Sequence, residues 1–511
     1  MGTSQPSPHS RHPDGSRFDG IVIGAGIGGL VTATQLASRG LKPLVLERYT
    51  IPGGSAGYFE RDGYRFDVGA SMIFGFGQQG TTNLLTRALA AVGQRVETLP
   101  DPVQVHYHLP QQLSVRVHRD YERFLQELGD RFPHERQGIR RFYDACWRVF
   151  HCLNRIELLS LEEPGYVARV FWQHPLACLG LARHLPLNVG GLARRHLRDP
   201  ELLRFIDMEC YCWSVVPADR TPLINGGMVF SDRHYGGVNY PQGGVGRIAE
   251  ALVTGLEASG GAIQYRSRVR RILLERGRAV GVELATGERY WGDRIVSNAT
   301  RWDTFDQLLG DRPLPPREQR WRQRYQKSPS FLSLHLGVKA AALPPDLDCH
   351  HILLSNWEAL EAPGGTVFVS IPTLLDPSLA PPDRHIIHAF TPSWAADWQG
   401  LSPSAYQAQK QQWTQTLLQR LADLIPDLPQ HLDHLSVGTP RTHRRFLGRS
   451  DGTYGPMPRQ RLAGLLGMPF NRTAVPGLYC VGDSTFPGQG LNAVAFSGFA
   501  CAHRVATDLG V

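Results

Sequence analysis

A short strand, a glycine-rich turn and a helix follow one another near the start of this 511-residue chain, and they constrain the fold more than any other feature. The aliphatic run Ile21–Ile23 precedes the pattern G-x-G-x-x-G, which is formed by Gly24, Gly26 and Gly29. The first glycine permits a tight turn, the second lets the backbone approach a pyrophosphate, and the third lets the helix pack closely on the strand. The amides at the helix N-terminus can then bind phosphates. This segment therefore predicts a βαβ dinucleotide-binding unit.

An acidic residue at the end of the next predicted strand strengthens this prediction. Glu47 follows the aliphatic run Leu44–Leu46 and lies 18 residues beyond Gly29. A carboxylate at this position accepts hydrogen bonds from the ribose hydroxyls and repels a 2′-phosphate. The residues expected to contact the dinucleotide in this part of the chain are Gly24, Ala25, Gly26, Gly28, Gly29, Glu47 and Arg48.

The chain contains a second match to the same glycine pattern, at residues 75–80. Only the short run 72–74 precedes it as a possible strand, and the bulky side chains of Gln78 and Gln79 would crowd a pyrophosphate. We interpret this match as a coincidence, and the sequence then contains no separate NAD(P) domain.

Two further segments favour FAD over NAD as the dinucleotide. Gly53, Gly54 and Ser55 follow the ribose acid, and such a glycine pair can carry the backbone beneath the phosphates toward a flavin. Residues 268–284 alternate between polar and apolar side chains on either side of a glycine turn, which predicts a β-meander. In flavoproteins of this type the meander covers the adenine, and a backbone contact is expected near Val269.

The C-terminal part of the chain supplies the complementary half of a flavin site. Gly482 and Asp483 follow a predicted strand, in a position where a carboxylate binds the ribityl hydroxyls of FAD. Gly490, Leu491 and Asn492 then begin a helix. The amides at its N-terminus can face the N1–C2=O edge of the flavin, where reduced flavin carries negative charge.

The composition argues against several other classes of protein. The formal net charge is +8, but the basic residues form no run of five or more, so no nucleic-acid partner is expected. The eight Cys contain no CxxC pair and the His residues lack zinc-ligand spacing, which indicates a reduced intracellular protein without a metal site. The longest charge-free windows, 68–86 and 484–502, are interrupted by Gly, Gln, Asn or Pro, so any membrane contact is expected to be peripheral.

From about Phe18 to Gly510, the order of these motifs resembles that of the phytoene-desaturase-like flavoproteins, a group near the amine oxidases. Within that group the chain is similar to the carotenoid isomerases of cyanobacteria and plastids. The resemblance rests on residues 58–64, 297–305, 440–447 and 452–459, and on the stretch 486–490, where desaturases tend to carry a different Pro-Gly pattern.

This resemblance implies conversion of poly-cis lycopene into the all-trans form, with FAD that must be reduced although the reaction has no net redox change. Residues 1–17 contain no apolar run and are predicted to be a disordered lead rather than a signal or transit peptide. The chain is therefore expected to be cytoplasmic in a cyanobacterium and peripherally attached to its thylakoid or plasma membrane.

The expected fold class is α/β, with a Rossmann-type FAD-binding domain and a discontinuous α+β substrate domain. We assign residues 18–105, 225–300 and 446–511 to the FAD-binding domain, and residues 106–224 and 301–445 to the substrate domain. The substrate implied by the resemblance is a hydrocarbon, so its recognition requires an apolar tunnel. Segment 165–193 combines large apolar residues with Arg and His, which is typical of a membrane-facing helix or of a helix packed on the protein core.

No acid–base pair can be singled out from the sequence. Arg441, His443 and Arg444 form a dense basic cluster, whereas Arg301 and Asp303 follow a strand expected to approach the flavin. Either group can tune the flavin or supply a proton. The alternative interpretation is that both groups form salt bridges between the domains.

Two other functions remain compatible with the sequence. The first is a redox enzyme of the same fold, either a carotenoid desaturase or a saturase similar to retinol saturase, whose product differs in mass by two hydrogens. The second is a carotenoid-binding flavoprotein without catalysis, although a complete FAD site has no obvious purpose in such a carrier.

Overall fold

The structure is a computed structural model and describes residues 17–69, 71–77, 83–157, 159–460 and 467–511. Most of the predicted disordered lead, residues 1–16, lies outside the described residues, as do residues 78–80 of the second glycine pattern.

The strands and helices of the described residues are numbered along the chain. The strands are β1 (Phe18–Ile23), β2 (Pro43–Leu46), β3 (Tyr58–Arg61), β4 (Tyr64–Asp67), β5 (Thr98–Pro100), β6 (Val103–His108), β7 (Ser114–His118), β8 (Asn239–Pro241), β9 (Ala262–Gln264), β10 (Val269–Glu275), β11 (Arg278–Leu284), β12 (Arg289–Ser297), β13 (Tyr325–Lys327), β14 (Ser330–Lys339), β15 (His350–Leu354), β16 (Thr366–Ser370), β17 (Arg384–Ser393), β18 (Leu432–Gly438), β19 (Pro456–Pro458) and β20 (Leu478–Cys480). The helices are α1 (Ile27–Ala37), α2 (Leu84–Ala90), α3 (Tyr121–Arg131), α4 (Arg136–Asn154), α5 (Pro164–Gln173), α6 (Pro175–His184), α7 (Val189–His196), α8 (Pro200–Ser214), α9 (Leu223–Tyr235), α10 (Gly246–Ala258), α11 (Arg301–Asp303), α12 (Pro316–Arg324), α13 (Pro403–Ala422), α14 (Pro440–Leu447) and α15 (Leu491–Leu509).

The first large sheet contains the predicted βαβ unit. Its strand order is β10-β11-β12-β1-β2-β9, and β20 also pairs with β12. β1 lies parallel to both β12 and β2, while β10, β11 and the first half of β12 form the predicted antiparallel meander. Every residue of α1 is buried, since this helix lies between the sheet and helices α10 and α15. The sequence-based prediction of a Rossmann-type unit with a meander is confirmed.

The second large sheet has the order β18-β14-β17-β16-β15-β6-β7. Its strands are antiparallel except for β6 and β15, which run parallel. One face of this sheet packs on α13, and the other packs on α3, α4 and α8. The strands come from distant parts of the chain, as expected for a discontinuous α+β domain.

The assigned boundaries between the two domains stay a prediction, but three of them fall inside secondary-structure elements. The boundary at 224/225 lies within α9. The boundary at 105/106 lies within β6, which belongs to the second sheet. The boundary at 445/446 lies within α14. Segment 165–193 forms α5, α6 and the beginning of α7 rather than one helix, because Pro175 begins α6 and Asn188 caps the N-terminus of α7.

Candidate functional site

The glycine loop between β1 and α1 has the geometry that the sequence predicts. Gly24 adopts φ 95°, a left-handed conformation that favours glycine. A Cβ on Gly29 would lie 2.4 Å from the carbonyl oxygen of Gly24, and a Cβ on Gly26 would lie 2.7 Å from Nδ2 of Asn298. The loop therefore leaves no room for side chains at these positions and exposes its backbone to a ligand.

Glu47 lies at the end of β2, beside this loop. One carboxylate oxygen accepts a hydrogen bond from the N–H of Ala25 and the other accepts one from the N–H of Tyr49, both at 2.7 Å. Burial raises the pKa of Glu47, although these backbone hydrogen bonds oppose the shift. Each oxygen keeps a lone pair for a ribose hydroxyl. The backbone N–H of Ala25 thus holds the Glu47 carboxylate in place, and it already has a hydrogen-bond partner.

The Gly53–Ser55 segment runs directly alongside the glycine loop. The N–H of Gly53 donates to the carbonyl of Ala25 at 2.8 Å, and Gly53 forms an isolated parallel bridge with Gly26. The predicted passage of this glycine pair beneath the phosphates is compatible with this position.

The C-terminal half of the predicted site reaches the same place through β20 and α15. The N–H of Val481 donates to the carbonyl of Ser297 at 2.9 Å, which places Gly482 next to the end of β12. Asp483 forms an ion pair with Arg449, a residue that the sequence analysis did not select. Helix α15 begins at Leu491 without a side-chain cap, so the amides of its first turn are available to a ligand.

A cavity of about 1460 Å³ joins these segments to the second sheet. This volume exceeds the roughly 300–1,000 Å³ of an ordinary small-molecule pocket. Most of the predicted cofactor residues line it, namely Gly24, Gly26, Gly28, Glu47, Arg48, Gly53, Gly54, Ser55, Val269, Gly482, Asp483, Gly490 and Leu491. Gly29 lies behind the loop, whereas the side chain of Asn492 donates to the carbonyl of Phe74 at 2.7 Å.

The part of the cavity formed by the second sheet and α8 is largely apolar and aromatic. Its lining includes Trp213, Val215, Phe331, Leu334, Ala389, Phe390 and Val437. The cavity is thus polar where it meets the glycine loop and apolar where it meets the second sheet.

Of Arg301 and Asp303, only Asp303 lines the cavity. Arg301 is buried and pairs with the carboxylate of Glu318, with Nε–O distances of 3.2 and 3.1 Å. Its Nη1 also donates to the carbonyl of Phe470 at 3.0 Å. Asp303 accepts a hydrogen bond from the N–H of Ser450 at 2.9 Å. Arg301 is therefore held in a buried ion pair outside the cavity.

Helix α14 places the three basic residues of its cluster in different environments. Arg441 and Arg444 are exposed, and the guanidinium of Arg441 lies 4.6 Å from the ring centre of Tyr406. His443 is buried, lines the cavity and has its Nδ1 at 3.1 Å from the hydroxyl of Tyr454. Burial lowers the pKa of His443 to about 4, so its imidazole is neutral at pH 7.

The second sheet contributes two cavity residues that sequence analysis missed. His335 on β14 and His388 on β17 are direct cross-strand partners and both line the cavity. Nδ1 of His388 lies 3.0 Å from the hydroxyl of Ser71, which donates to Asp67 at 3.2 Å. Burial lowers the pKa of His335 to about 4 and that of His388 well below its usual value.

Each of these histidines lies between apolar residues on its strand. Only the pairing of β14 with β17 places the two side by side. They line the same cavity as the glycine loop because of the way the two large sheets are placed relative to each other. Nε2 of His388 is buried and has no hydrogen-bond partner among the described residues.

This architecture, a βαβ dinucleotide unit joined through one cavity to a mixed sheet, defines an FAD-dependent enzyme with the amine-oxidase fold. The model of the family described as flavin-containing amine oxidoreductase matches residues 27–506. An oxidoreductase from Methanosarcina mazei has a similar solved structure, with a TM-score of 0.62 at 20% identity over 95% of this chain and 99% of that one. The fold class predicted from the sequence is confirmed.

The relatives identify the branch of this family. The chain is 57% identical to the chloroplastic prolycopene isomerase of Arabidopsis thaliana over 97% of its length and 84% of that protein. It is 25% identical to the neurosporene-forming phytoene desaturase of Cereibacter sphaeroides over 93% of its length and 92% of that protein. The chain therefore belongs to the prolycopene isomerase family, and the resemblance found in the sequence is confirmed.

The residues at the glycine loop fit FAD as the cofactor of this family. A Cβ on Gly26 would lie 2.7 Å from Asn298 and one on Gly28 would lie 3.1 Å from it, so both positions favour glycine. These two glycines line the cavity, and so do the acidic residues Glu47 and Asp483.

Among the described residues, no helix is both long and apolar enough to cross a membrane.

Proposed function

We propose that this protein converts poly-cis lycopene into all-trans-lycopene, without net oxidation or reduction, and that it requires FAD in the reduced form. The observation that carries the proposal is a cavity that joins the glycine loop after β1 to an apolar wall. The identity of 57% to a protein named prolycopene isomerase supports the same activity.

The apolar wall suits a hydrocarbon that has no hydrogen-bonding groups. His335 and His443 face it as neutral imidazoles, because burial lowers the pKa of each to about 4. A neutral imidazole avoids the free-energy cost of removing water from an ion beside a polyene. Recognition is then expected to depend on shape and on the area of apolar contact.

The cofactor end of the cavity is polar and includes the N-terminus of α15. The first turn of α15, at Leu491, has amides without a side-chain cap, and the positive end of a helix dipole favours a nearby anion. Bound reduced FAD supplies an electron-rich ring, which can donate charge to the polyene or stabilise the cation formed when a double bond is protonated. We favour the protonation route because these amides can stabilise a negatively charged reduced flavin. That negative charge would in turn stabilise the cation formed on the polyene.

The deciding experiment is an anaerobic incubation of the FAD-loaded protein with tetra-cis-lycopene, followed by chromatography and mass spectrometry. We expect all-trans-lycopene of unchanged mass, formed only after the flavin is reduced. A product that differs by two hydrogens would instead assign the chain to the desaturases or saturases. Unchanged substrate with bound FAD would indicate a carotenoid-binding flavoprotein.

The same incubation in heavy water separates the two chemical routes. Protonation of a double bond by a solvent-exchangeable acid predicts deuterium at the isomerised positions. Complete retention of the original hydrogens would contradict the protonation route and leave the isomerase proposal intact.

We also propose that α5 and α6 attach the protein to a membrane surface. Trp172, Leu176 and Leu179 are 79%, 84% and 57% exposed, and the exposed side chains of Arg169 and Arg183 lie on the same two helices. Large apolar residues flanked by cations are typical of a helix in the membrane interface. Location in the cytoplasm of a cyanobacterium stays a prediction.

Replacing Trp172, Leu176 and Leu179 together with Gln is expected to lower binding to anionic lipid vesicles at least about tenfold, because burying each side chain in lipid contributes about 1.5–3 kcal/mol. Co-sedimentation measures the bound fraction. The control is Leu374→Gln, which removes an exposed apolar side chain from a different surface and is expected to leave binding unchanged. Equal binding by the triple variant and the wild type would rule out this surface.

A further inference from the structure

Three histidines meet on one face of the second sheet, away from the catalytic cavity. His106 and His108 alternate on β6, so their side chains share a face. His351 on β15 is the direct parallel partner of His106. One ring nitrogen from each histidine lies within 4.8 Å of the other two, and Nε2 of His108 is 3.0 Å from Nδ1 of His351.

Asp348 determines which nitrogens of two of these rings are free of hydrogen. Its carboxylate lies 3.0 Å from Nδ1 of His106, and its backbone carbonyl lies 2.8 Å from Nε2 of His351. Both oxygens can only accept hydrogen bonds, so these two nitrogens carry the hydrogens. In the neutral rings, Nε2 of His106 and Nδ1 of His351 are then the nitrogens with lone pairs. Histidines that ligate metals are oriented by carboxylate and carbonyl oxygens in this way.

A guanidinium holds the carboxylate that stands behind the cluster. Nε of Arg116 donates to the same carboxylate oxygen of Asp348 that lies near His106, at 2.9 Å. The carboxylate is therefore fixed in the position from which it orients the ring of His106.

We propose that His106, His108 and His351 bind one zinc-type divalent cation, with a fourth position left to water. Zn–N bonds of 2.0–2.1 Å place the nitrogens of a tetrahedral site about 3.4 Å apart, so the 3.0 Å pair of His108 and His351 has to separate only slightly. The hydrogen that this pair shares leaves Nε2 of His108, and that ring takes its hydrogen on Nδ1 instead. The hydroxyl of Ser114, now 2.8 Å from Nε2 of His106, would turn aside. His108 is only half-buried, so the cation can enter from solvent.

The cation would cross-link β6 and β15, two strands that are far apart in the chain. His108 and His351 are separated by 243 positions, and they join the β6-β7 hairpin to the rest of the second sheet. Its expected role is to stabilise this part of the sheet. No metal site was predicted from the spacing of the His residues in the sequence. These three histidines come together only because β15 pairs with β6.

A second group beside this one fits a cation less well. Asp101, Cys349 and His350 also approach one another, but all three are buried. Burial raises the pKa of the Cys349 thiol well above its usual value, so a cation would have to displace a tightly held proton. Cys349 therefore provides a variant that tests the location of the site.

The test uses the full, FAD-loaded chain, stripped of metals with a chelator and dialysed against increasing Zn²⁺. We expect one Zn²⁺ per chain in the wild type. Asp348→Asn should weaken binding about 10–100-fold, the usual effect of losing a carboxylate that orients a ligand. His351→Gln, which removes a ligand, should weaken binding at least as much.

Two variants serve as controls, and each is expected to bind Zn²⁺ as the wild type does. His134→Gln removes an exposed histidine that lies 2.8 Å from Asp199, and Cys349→Ser alters the neighbouring group. Thermal unfolding should show a zinc-dependent rise in Tm for the wild type and none for His351→Gln, and His106→Gln replaces that variant if it fails to fold. Loss of binding in Cys349→Ser alone, or equal affinity in wild type and His351→Gln, would overturn the proposal.

Discussion

Replacing Gly29 with alanine is expected to leave the protein without bound FAD and to lower isomerase activity at least about 100-fold. The new Cβ would lie 2.4 Å from the carbonyl oxygen of Gly24, so the backbone of the loop would have to move. A displacement of about 1 Å at a binding loop can reduce the rate by this factor. Flavin absorbance per chain after desalting measures the first effect, and conversion of tetra-cis-lycopene measures the second.

The matched control is Gly165→Ala. Gly165 lies in the first turn of α5, and a Cβ there meets no atom within 4 Å. This variant should keep the FAD content and activity of the wild type. If Gly29→Ala bound FAD as well as Gly165→Ala, the loop after β1 would not be the pyrophosphate site.

Replacing Arg301 with leucine is expected to lower the free energy of unfolding by about 3–5 kcal/mol, because it leaves the buried carboxylate of Glu318 without its partner. Denaturant unfolding of the FAD-loaded protein measures the effect. The control is Arg140→Leu, which breaks the exposed Arg140–Glu122 pair and should cost no more than about 1 kcal/mol.

A second measurement separates this structural role from a catalytic one. The double variant Arg301→Leu with Glu318→Leu removes both charges, and it should recover much of the lost stability. Arg301→Leu, assayed well below its Tm, should retain kcat/KM within about threefold, since Arg301 does not line the cavity. Normal stability together with lost activity would instead make Arg301 a catalytic residue.

The cofactor half of the molecule could be predicted because its signals are local. The strand, the turn of Gly24 to Gly29 and the helix are consecutive in the chain, and each glycine is required by the backbone of the loop itself. The meander at Val269–Ser297 was predictable for the same reason, as alternation and glycine turns specify hairpins directly.

The candidate catalytic residues were much harder to predict. Arg441, His443 and Arg444 are close in sequence, but the turn of α14 directs only His443 into the cavity. His335 and His388 lie 53 positions apart and become neighbours through the antiparallel pairing of β14 and β17. The ion pair between Arg449 and Asp483 depends likewise on tertiary contact, and no local pattern indicates it.

The sequence by itself determined the βαβ unit, the flavin as cofactor and the family, because closely spaced glycines and an acid at a set distance carry that information in one stretch of chain. Only the tertiary structure decided which residues of the second sheet line the cavity beside the glycine loop and which charged residues are buried away from it. It also decided that His106, His108 and His351 converge. These features depend on which strands of the second sheet pair, and side chains hundreds of positions apart meet only once that pairing exists.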